Sequence, residues 1–192
     1  LLDKGATTDW QDEIFRTAIS QNYNLGWGFN TQSTNVRLSG SYDDQQGIIK
    51  NSSLKRFTMR ANATQKFLKD KLRFDLATTY SNSRNEYPPL SNNAGFQGSL
   101  LGAALQFNPT YPVFNADGSY FQPGDQRNPT QMLAYFEDKD RINRFLTSLS
   151  GSYQITKGLT YKVLVGYDRT NTERIAFADP RLGSNAYGGT NS

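Results

Sequence analysis

The groups in this chain that suggest chemistry are a few acidic pairs, a spread of basic residues and a set of tyrosines. Asp43-Asp44, with Asp3, Asp9 and Asp12 earlier in the chain, offers oxygen ligands to a cation, and Glu137-Asp138 offers the two carboxyl groups that glycoside cleavage uses. Neither has the required spacing. A calcium loop spaces its donors along a glycine-centred turn of about twelve residues. Adjacent acids in a loop do not make a pair that faces across a glycosidic bond. Both sets read as solvated turn carboxylates. The chain has no cysteine and no histidine, which excludes a disulfide framework, a Cys/His zinc centre and any His-based triad. Gly26 with Gly28, and Gly188-Gly189, lack the strand–turn–helix setting of a phosphate cradle. No nucleophile–base or metal constellation is left, so the residues do not describe an enzyme, and no cofactor is expected.

Binding chemistry is better represented. Tyr87, Tyr111, Tyr120 and Tyr135 lie in one long stretch between patterned segments, where rings either stack on sugars or a protein partner or pack the stretch on itself. Arg37, Arg56, Arg60, Arg73, Asp75, Arg144 and Lys162 alternate with apolar residues, where they either steer an anionic substrate or pair with acids. The net charge is +4 and its basic residues are scattered, so no nucleic-acid surface is marked.

The elements that must position these groups follow from a period of two. Six segments alternate, each a strand with one apolar face. They carry Tyr23, Leu25, Trp27 and Phe29; then Val36, Leu38 and Tyr42; then Phe57, Met59 and Ala61; then Leu72, Phe74, Leu76 and Tyr80; then Phe145, Leu149 and Tyr153; then Tyr161, Val163, Val165 and Tyr167. Leu146 and Leu164 fall on the polar side of the alternation. Short turns follow the odd segments, near 31–34, 66–71 and 156–158, and long connections follow the even ones. Sorting of connections by length is the habit of outer-membrane barrels, with short periplasmic turns and long external loops. The organisation predicted is a loop segment over 1–19, six antiparallel strands over 20–172 with an external loop at 82–141, and the start of a further external loop over 173–192. Within the long loop, Phe96 to Phe107 reads as a short helix stopped by Asn108-Pro109, and Asn115-Ala116-Asp117-Gly118 as a hairpin turn.

Apolar residues are only 36% of the chain while aromatics reach 13%, a mixture that suits strands wet on one side. The apolar face of the spans carries no charge. The residue nearest each long connection is a ring: Tyr23, Tyr42, Phe57, Tyr80, Phe145 and Tyr167. Amphipathic rings favour the boundary between lipid and water, so these six are expected to form a girdle, while the arginine-bearing face lines a wet lumen. A soluble secreted β-domain that binds glycans is the alternative, but it would place its largest rings centrally. No stretch approaches the ~20 apolar residues of a membrane helix. The chain opens Leu1-Leu2-Asp3-Lys4 and closes in a loop-like Gly188-Gly189-Thr190-Asn191-Ser192, so it is expected to be an excerpt.

Several strings, taken in order, resemble one family. Thr8-Asp9-Trp10-Gln11-Asp12-Glu13-Ile14-Phe15-Arg16-Thr17 before Gln21-Asn22-Tyr23-Asn24-Leu25 is similar to a barrel stretch of the SusC/RagA-type TonB-linked outer-membrane proteins of the Bacteroidetes. So are Gly47-Ile48-Ile49-Lys50-Asn51-Ser52 with Lys55-Arg56-Phe57, Asn108-Pro109-Thr110-Tyr111-Pro112-Val113 with Asp117-Gly118-Ser119-Tyr120, Lys157-Gly158-Leu159, and Gly166-Tyr167-Asp168. The resemblance implies part of a barrel of about 22 strands closed by a plug. It also implies oligosaccharide or peptide received from a SusD-like surface lipoprotein, and uptake driven by TonB through the plug. These residues contain neither plug nor TonB box, and six strands fall short of the about eight that close the smallest membrane barrels.

Overall fold

The computed structural model describes residues 3–90, 99–124 and 126–182. Six strands form one sheet in chain order, each antiparallel to the next: β1 (Ser20–Asn30), β2 (Thr34–Gln46), β3 (Ser53–Phe67), β4 (Leu72–Glu86), β5 (Phe136–Thr156) and β6 (Leu159–Ala178). This is the up-and-down transmembrane barrel segment expected from the alternation. The ladder is regular except for a register shift between Gln154 and Thr156. The adjoining turn uses Gly158 at φ +93, in the left-handed region open to glycine. The β3–β4 turn places Leu68, Lys69 and Asp70 there without glycine, a more costly solution.

The strands outrun the expected boundaries. β4 continues to Glu86, β5 begins at Phe136 rather than after 141, and β6 continues to Ala178 rather than ending at 172. The long connection is therefore 87–135. The physical reason lies in length: β5 has 21 residues, about 70 Å at ~3.4 Å per residue, against a hydrocarbon layer of about 30 Å. Over its first residues both faces are polar and alternation vanishes, yet backbone pairing continues.

At that outer end sits the compact hydrophobic cluster of the described residues. Segment 1–19, expected to be loop, holds α1 (Trp10–Ile14), started by the Asp9 carboxylate accepting from the backbone N–H of Gln11 and Asp12. The expected loop helix is α2 (Leu100–Gln106), with Ser99 as its N-cap; the predicted start at Phe96 lies outside the described residues. A helix not anticipated, α3 (Pro129–Tyr135), begins with proline inside its first turn. Trp10, Ile14, Leu100, Phe107, Tyr111, Met132 and Leu133 pack together with Leu182 from a short 3-10 turn, Pro180–Leu182. The Trp10 ring meets Phe107 edge-on at 4.7 Å, and its Nε1 donates to the Asn108 carbonyl at 3.0 Å. Phe114 and Tyr120 form a bridge across the turn at Asn115-Ala116-Asp117-Gly118.

Two polar groups tie this cap together. Asn128 is fully buried; its Oδ1 accepts from the α3 backbone while its Nδ2 donates to the carbonyls of Val113 at 2.8 Å and Phe121 at 3.1 Å. Arg181 donates to the Asp179 carboxylate at 2.7 Å and lies over the Tyr135 ring at 3.9 Å. The Arg181 guanidinium, helped by the Arg181 backbone N–H, holds the Asp179 carboxyl at about 2.

Two expected outcomes follow from the cap. In a full-length receptor carrying this segment, Asn128→Ala removes a helix cap and the amide donor to the Phe121 and Val113 carbonyls, of which Val113 keeps the Phe121 N–H, a loss of about 1–2 kcal/mol. Amide hydrogen exchange over 99–135 is expected to speed accordingly while the strands stay protected; uniform loosening of strands and cap together would contradict the assignment. For Asp179, the carboxyl is depressed from its unfolded value of about 3.9, so its contribution is complete above that value and is lost as pH falls through about 2. Acidification is expected to loosen 179–182 in this window, and Asp179→Asn to remove the step.

Candidate functional site

Directly paired residues share a face of the sheet, so the register sorts every strand residue onto one of two surfaces. One carries the arginines. Across it run the rows Asn24–Ser41–Thr58–Ser81–Arg144–Thr170, Gly26–Ser39–Arg60–Thr79–Leu146–Asp168 and Gly28–Arg37–Asn62–Ala77–Ser148–Gly166. Arg37, Arg56, Arg60, Arg73, Asp75, Arg144 and Lys162 all fall on this side. Arg56, Arg60 and Arg144 converge with Asp43 and Leu146 on a groove of about 280 Å³.

Several of these cations have partners. Arg144 grips Asp168 with two nitrogens, at 3.2 and 2.7 Å. Arg73 grips Asp75 at 2.7 Å, and Thr64 donates to the same carboxylate at 2.7 Å. Arg56 reaches Asp43 at 3.2 Å, and Asn22 donates to that carboxylate as well. Arg37, Arg60 and Lys162 form no ion pair among the described residues. Asp43 corrects the reading of a solvated turn carboxylate: it belongs to β2, it is buried, and it continues the alternation one residue past Tyr42. Asp138 is corrected in the same way, being buried in β5 with Arg174 at 2.6 Å. Arg174, with its guanidinium raised above its ordinary value chiefly by that hydrogen bond, also stands over the Tyr87 ring at 5.7 Å.

The other face is apolar and open. Its rows read Leu25–Gly40–Met59–Tyr80–Phe145–Arg169, Trp27–Leu38–Ala61–Thr78–Thr147–Tyr167 and Phe29–Val36–Ala63–Leu76–Leu149–Val165. Gly151 sits opposite Phe74, whose ring would come within 3.2 Å of any added Cβ. Leu25 is 79% exposed, Val165 63% and Trp27 57%. The six rings expected at one end do not make one straight row. Tyr23, Tyr42 and Phe57 pair in sequence; Tyr80 and Phe145 pair with each other two residues deeper, and Tyr167 lies two deeper again.

The four tyrosines of the long connection divide. Tyr111 is buried among Phe107, Phe121 and the rest of the cap core; as a contact residue it is corrected, because its ring is spent on packing. Tyr120 and Tyr135 meet edge-on at 5.5 Å, and Tyr120 also touches Phe114 at 4.9 Å. Tyr87 donates to Asp140 at 3.0 Å, and burial raises its phenol above the usual range. Phe114, half exposed at the hairpin, was not singled out by sequence; only its place beside the Asn115–Gly118 turn marks it. Among the described residues no cluster of acids, or of any ligating side chains, is arranged to hold a metal ion.

No protein-family model matches the chain. Individual relatives do. The chain is 28% identical over 210 aligned residues to the TonB-dependent receptor SusC of Bacteroides thetaiotaomicron, an alignment covering 95% of this chain and 20% of the receptor. It is 29% identical over 175 residues to the TonB-dependent receptor P3 of Formosa agariphila, covering 88% of this chain and 17% of that protein. The RagAB peptide importer in its closed-closed state matches with a TM-score of 0.71 and 21% identity, over 96% of this chain and 21% of that one. In the open-open state the same importer matches with a TM-score of 0.67 over 85% of the chain. The chain thus spans about a fifth of the length of the proteins it matches, and those proteins are receptors and importers rather than enzymes. In sequence the chain is similar to one stretch of TonB-dependent receptors such as SusC, and in fold its six strands are similar to a stretch of the RagAB importer.

Proposed function

We propose that this chain forms part of the wall and outer rim of an energy-coupled importer that carries bulky nutrients, oligosaccharides or peptides, across the outer membrane. The observation that carries the reading is the open apolar face: four consecutive charge-free rows rich in exposed rings and aliphatic side chains, from that of Trp27 and Tyr167 to that of Tyr153 and Tyr161, on the side opposite the arginines. In water a contiguous patch of this size drives association, whereas lipid is the solvent it fits. That disfavours the soluble glycan-binding alternative.

The stagger of the rings supports the same reading. From Tyr23 on β1 to Tyr167 on β6 the line of rings slips four residues across five strand spacings, about 14 Å over about 24 Å, a tilt of about 30°. Membrane barrels tilt their strands by about 35–45°, so a line of constant depth should cross the register in this manner. Tyr23, Tyr42, Phe57, Tyr80, Phe145 and Tyr167 then make one level girdle. Arg37, Arg56, Arg60, Arg73, Asp75, Arg144 and Lys162 line the lumen, where paired cations hold the wall and the unpaired ones meet plug acids or substrate.

TonB would act through a plug that these residues do not contain. The cap, tied to the strands by α3 and the 3-10 turn, stands where a SusD-like lipoprotein would deliver substrate, with Phe114 and Tyr87 as its exposed rings and Tyr120 half-buried between Phe114 and Tyr135.

Leu76 lies four residues below Tyr80, about 11 Å deeper and close to the middle of an apolar band about 25 Å tall. In the full-length receptor in lipid vesicles, Leu76→Arg is expected to destabilise the barrel by about 2–4 kcal/mol, and Ser148→Arg on the other face by well under that. Urea unfolding reads both; equal losses would sink the lipid-facing assignment. Nitroxide labels at Leu25, Leu38, Leu76 and Val163 should also be quenched by oxygen dissolved in lipid rather than by aqueous nickel chelates. For the rim, Phe114→Ser with Tyr120→Ser is expected to cut co-purification of the lipoprotein about tenfold while barrel assembly is unchanged. Undiminished capture would remove the rim from the docking surface.

A further inference from the structure

Above the rings, the apolar face changes character. Asp44, Lys55, Arg84, Arg141 and Glu173 form one continuous row there, on the same side as Tyr80 and Phe145. Lys55 is held by Asp44 at 3.6 Å, and in the next row Lys139 is held by Glu137 at 3.0 Å and Glu86 at 3.6 Å. Arg84 and Arg141 differ. They sit directly opposite each other, both are exposed, and neither makes an ion pair or hydrogen bond among the described residues. Like charges facing across a strand pair repel. A bound anion would turn that repulsion into a clamp. The two guanidinium groups open on a groove of about 430 Å³ whose other charged lining is Lys55 and Lys139 on one hand and Glu86, Asp140 and Glu173 on the other, so its cations outnumber its acids by one.

From this we infer that Arg84 and Arg141 together grip the phosphate of a lipid headgroup in the outer leaflet. The inference rests on the lipid-facing reading of the ringed face. Both arginines stand four residues beyond the ring of their own strand, Tyr80 and Phe145, about 11 Å higher along the membrane normal. The headgroup layer reaches about 5–8 Å beyond the hydrocarbon, and arginine stems bend back toward it while keeping their charge wet. Guanidinium forks suit phosphate oxygens two at a time. The groove opens sideways, toward lipid, on the face away from the lumen, so a membrane lipid is its occupant rather than a transported anion.

The test uses the full-length receptor in phosphatidylcholine nanodiscs doped with monophosphoryl lipid A or its dephosphorylated form, with bound lipid counted by native mass spectrometry. The phosphorylated form is expected to be retained, and Arg84→Gln with Arg141→Gln to reduce that retention about tenfold, while Arg84→Lys with Arg141→Lys keeps part of it. Equal retention of the two lipids by the unaltered receptor overturns the inference even if the glutamine variant fails to assemble. So does displacement of the lipid by inorganic phosphate alone, which would mark a site for free anions. Nitroxide labels at Leu76 and Val163 separate the two levels. Lipid contact without phosphate selectivity refutes the clamp only, and protein contact at those labels refutes the orientation beneath it.

Discussion

An unbroken hydrogen-bond ladder is the constraint on which the rest of this structure depends. Hydrocarbon offers no water to an unpaired N–H or C=O, so a membrane sheet must satisfy every backbone group from a neighbouring strand. Here the pairing is continuous from β1 to β6, with a single shift near the turn at Gly158. The period of two then follows without further choice. Each residue faces one of two solvents, and the chemistry on each side records which. The outer edges of β1 and β6 have no partner within the sheet, and such edges invite pairing with whatever strand is at hand.

The two solvents also explain where the polar side chains find partners. Arg73 with Asp75 and Arg144 with Asp168 stay exposed, and ion pairs of that kind contribute little to stability. On the proposed lumen face, their value would lie in keeping the wall electrically quiet while neighbouring arginines stay free to meet other groups. The pairs with a buried acid lie toward the outer end, at Asp43 with Arg56 and Asp138 with Arg174. Asp138 lies well beyond the rings, whereas Asp43 stands one residue past Tyr42, where Asn22 and Arg56 hold it.

Sequence made the sheet legible wherever its faces met different media, and illegible where they did not. Alternation located all six strands between the rings because one apolar and one polar face leave a signal at every residue. Above the rings both sides are wet, so Arg84 and Glu86 on one face and Asn85 on the other show no contrast, and the ends of β4, β5 and β6 went unseen. The acids suffered most from this. Asp43 and Asp138 look like turn carboxylates only if the strands stop early. The cap helices were harder still, since α1 and α3 are too short for a hydrophobic period. Their signals were local ones: Asp9 before Trp10, and Asn128-Pro129 before a Met-Leu pair. The tyrosines could not be sorted at all from sequence, because burial of Tyr111 depends on Trp10 and Phe107 arriving from segments about a hundred residues apart.

The cap and the sheet are stabilised by opposite means, and this bears on how the chain works as a unit. The sheet keeps its large apolar side chains on the outside and has no interior of its own. The cap buries Ile14, Leu100, Met132 and Leu182 fully and resembles a small water-soluble core. Yet that core is drawn from four separate stretches of chain, and the sheet alone brings them together: β1 to β4 intervene between α1 and α2, and β5 with β6 between α3 and the 3-10 turn. Closing loops that long without the ladder would cost entropy that a core of about ten side chains does not offset. The cap therefore depends on the barrel for its assembly, although it touches the sheet mainly at Phe136 and Ala178.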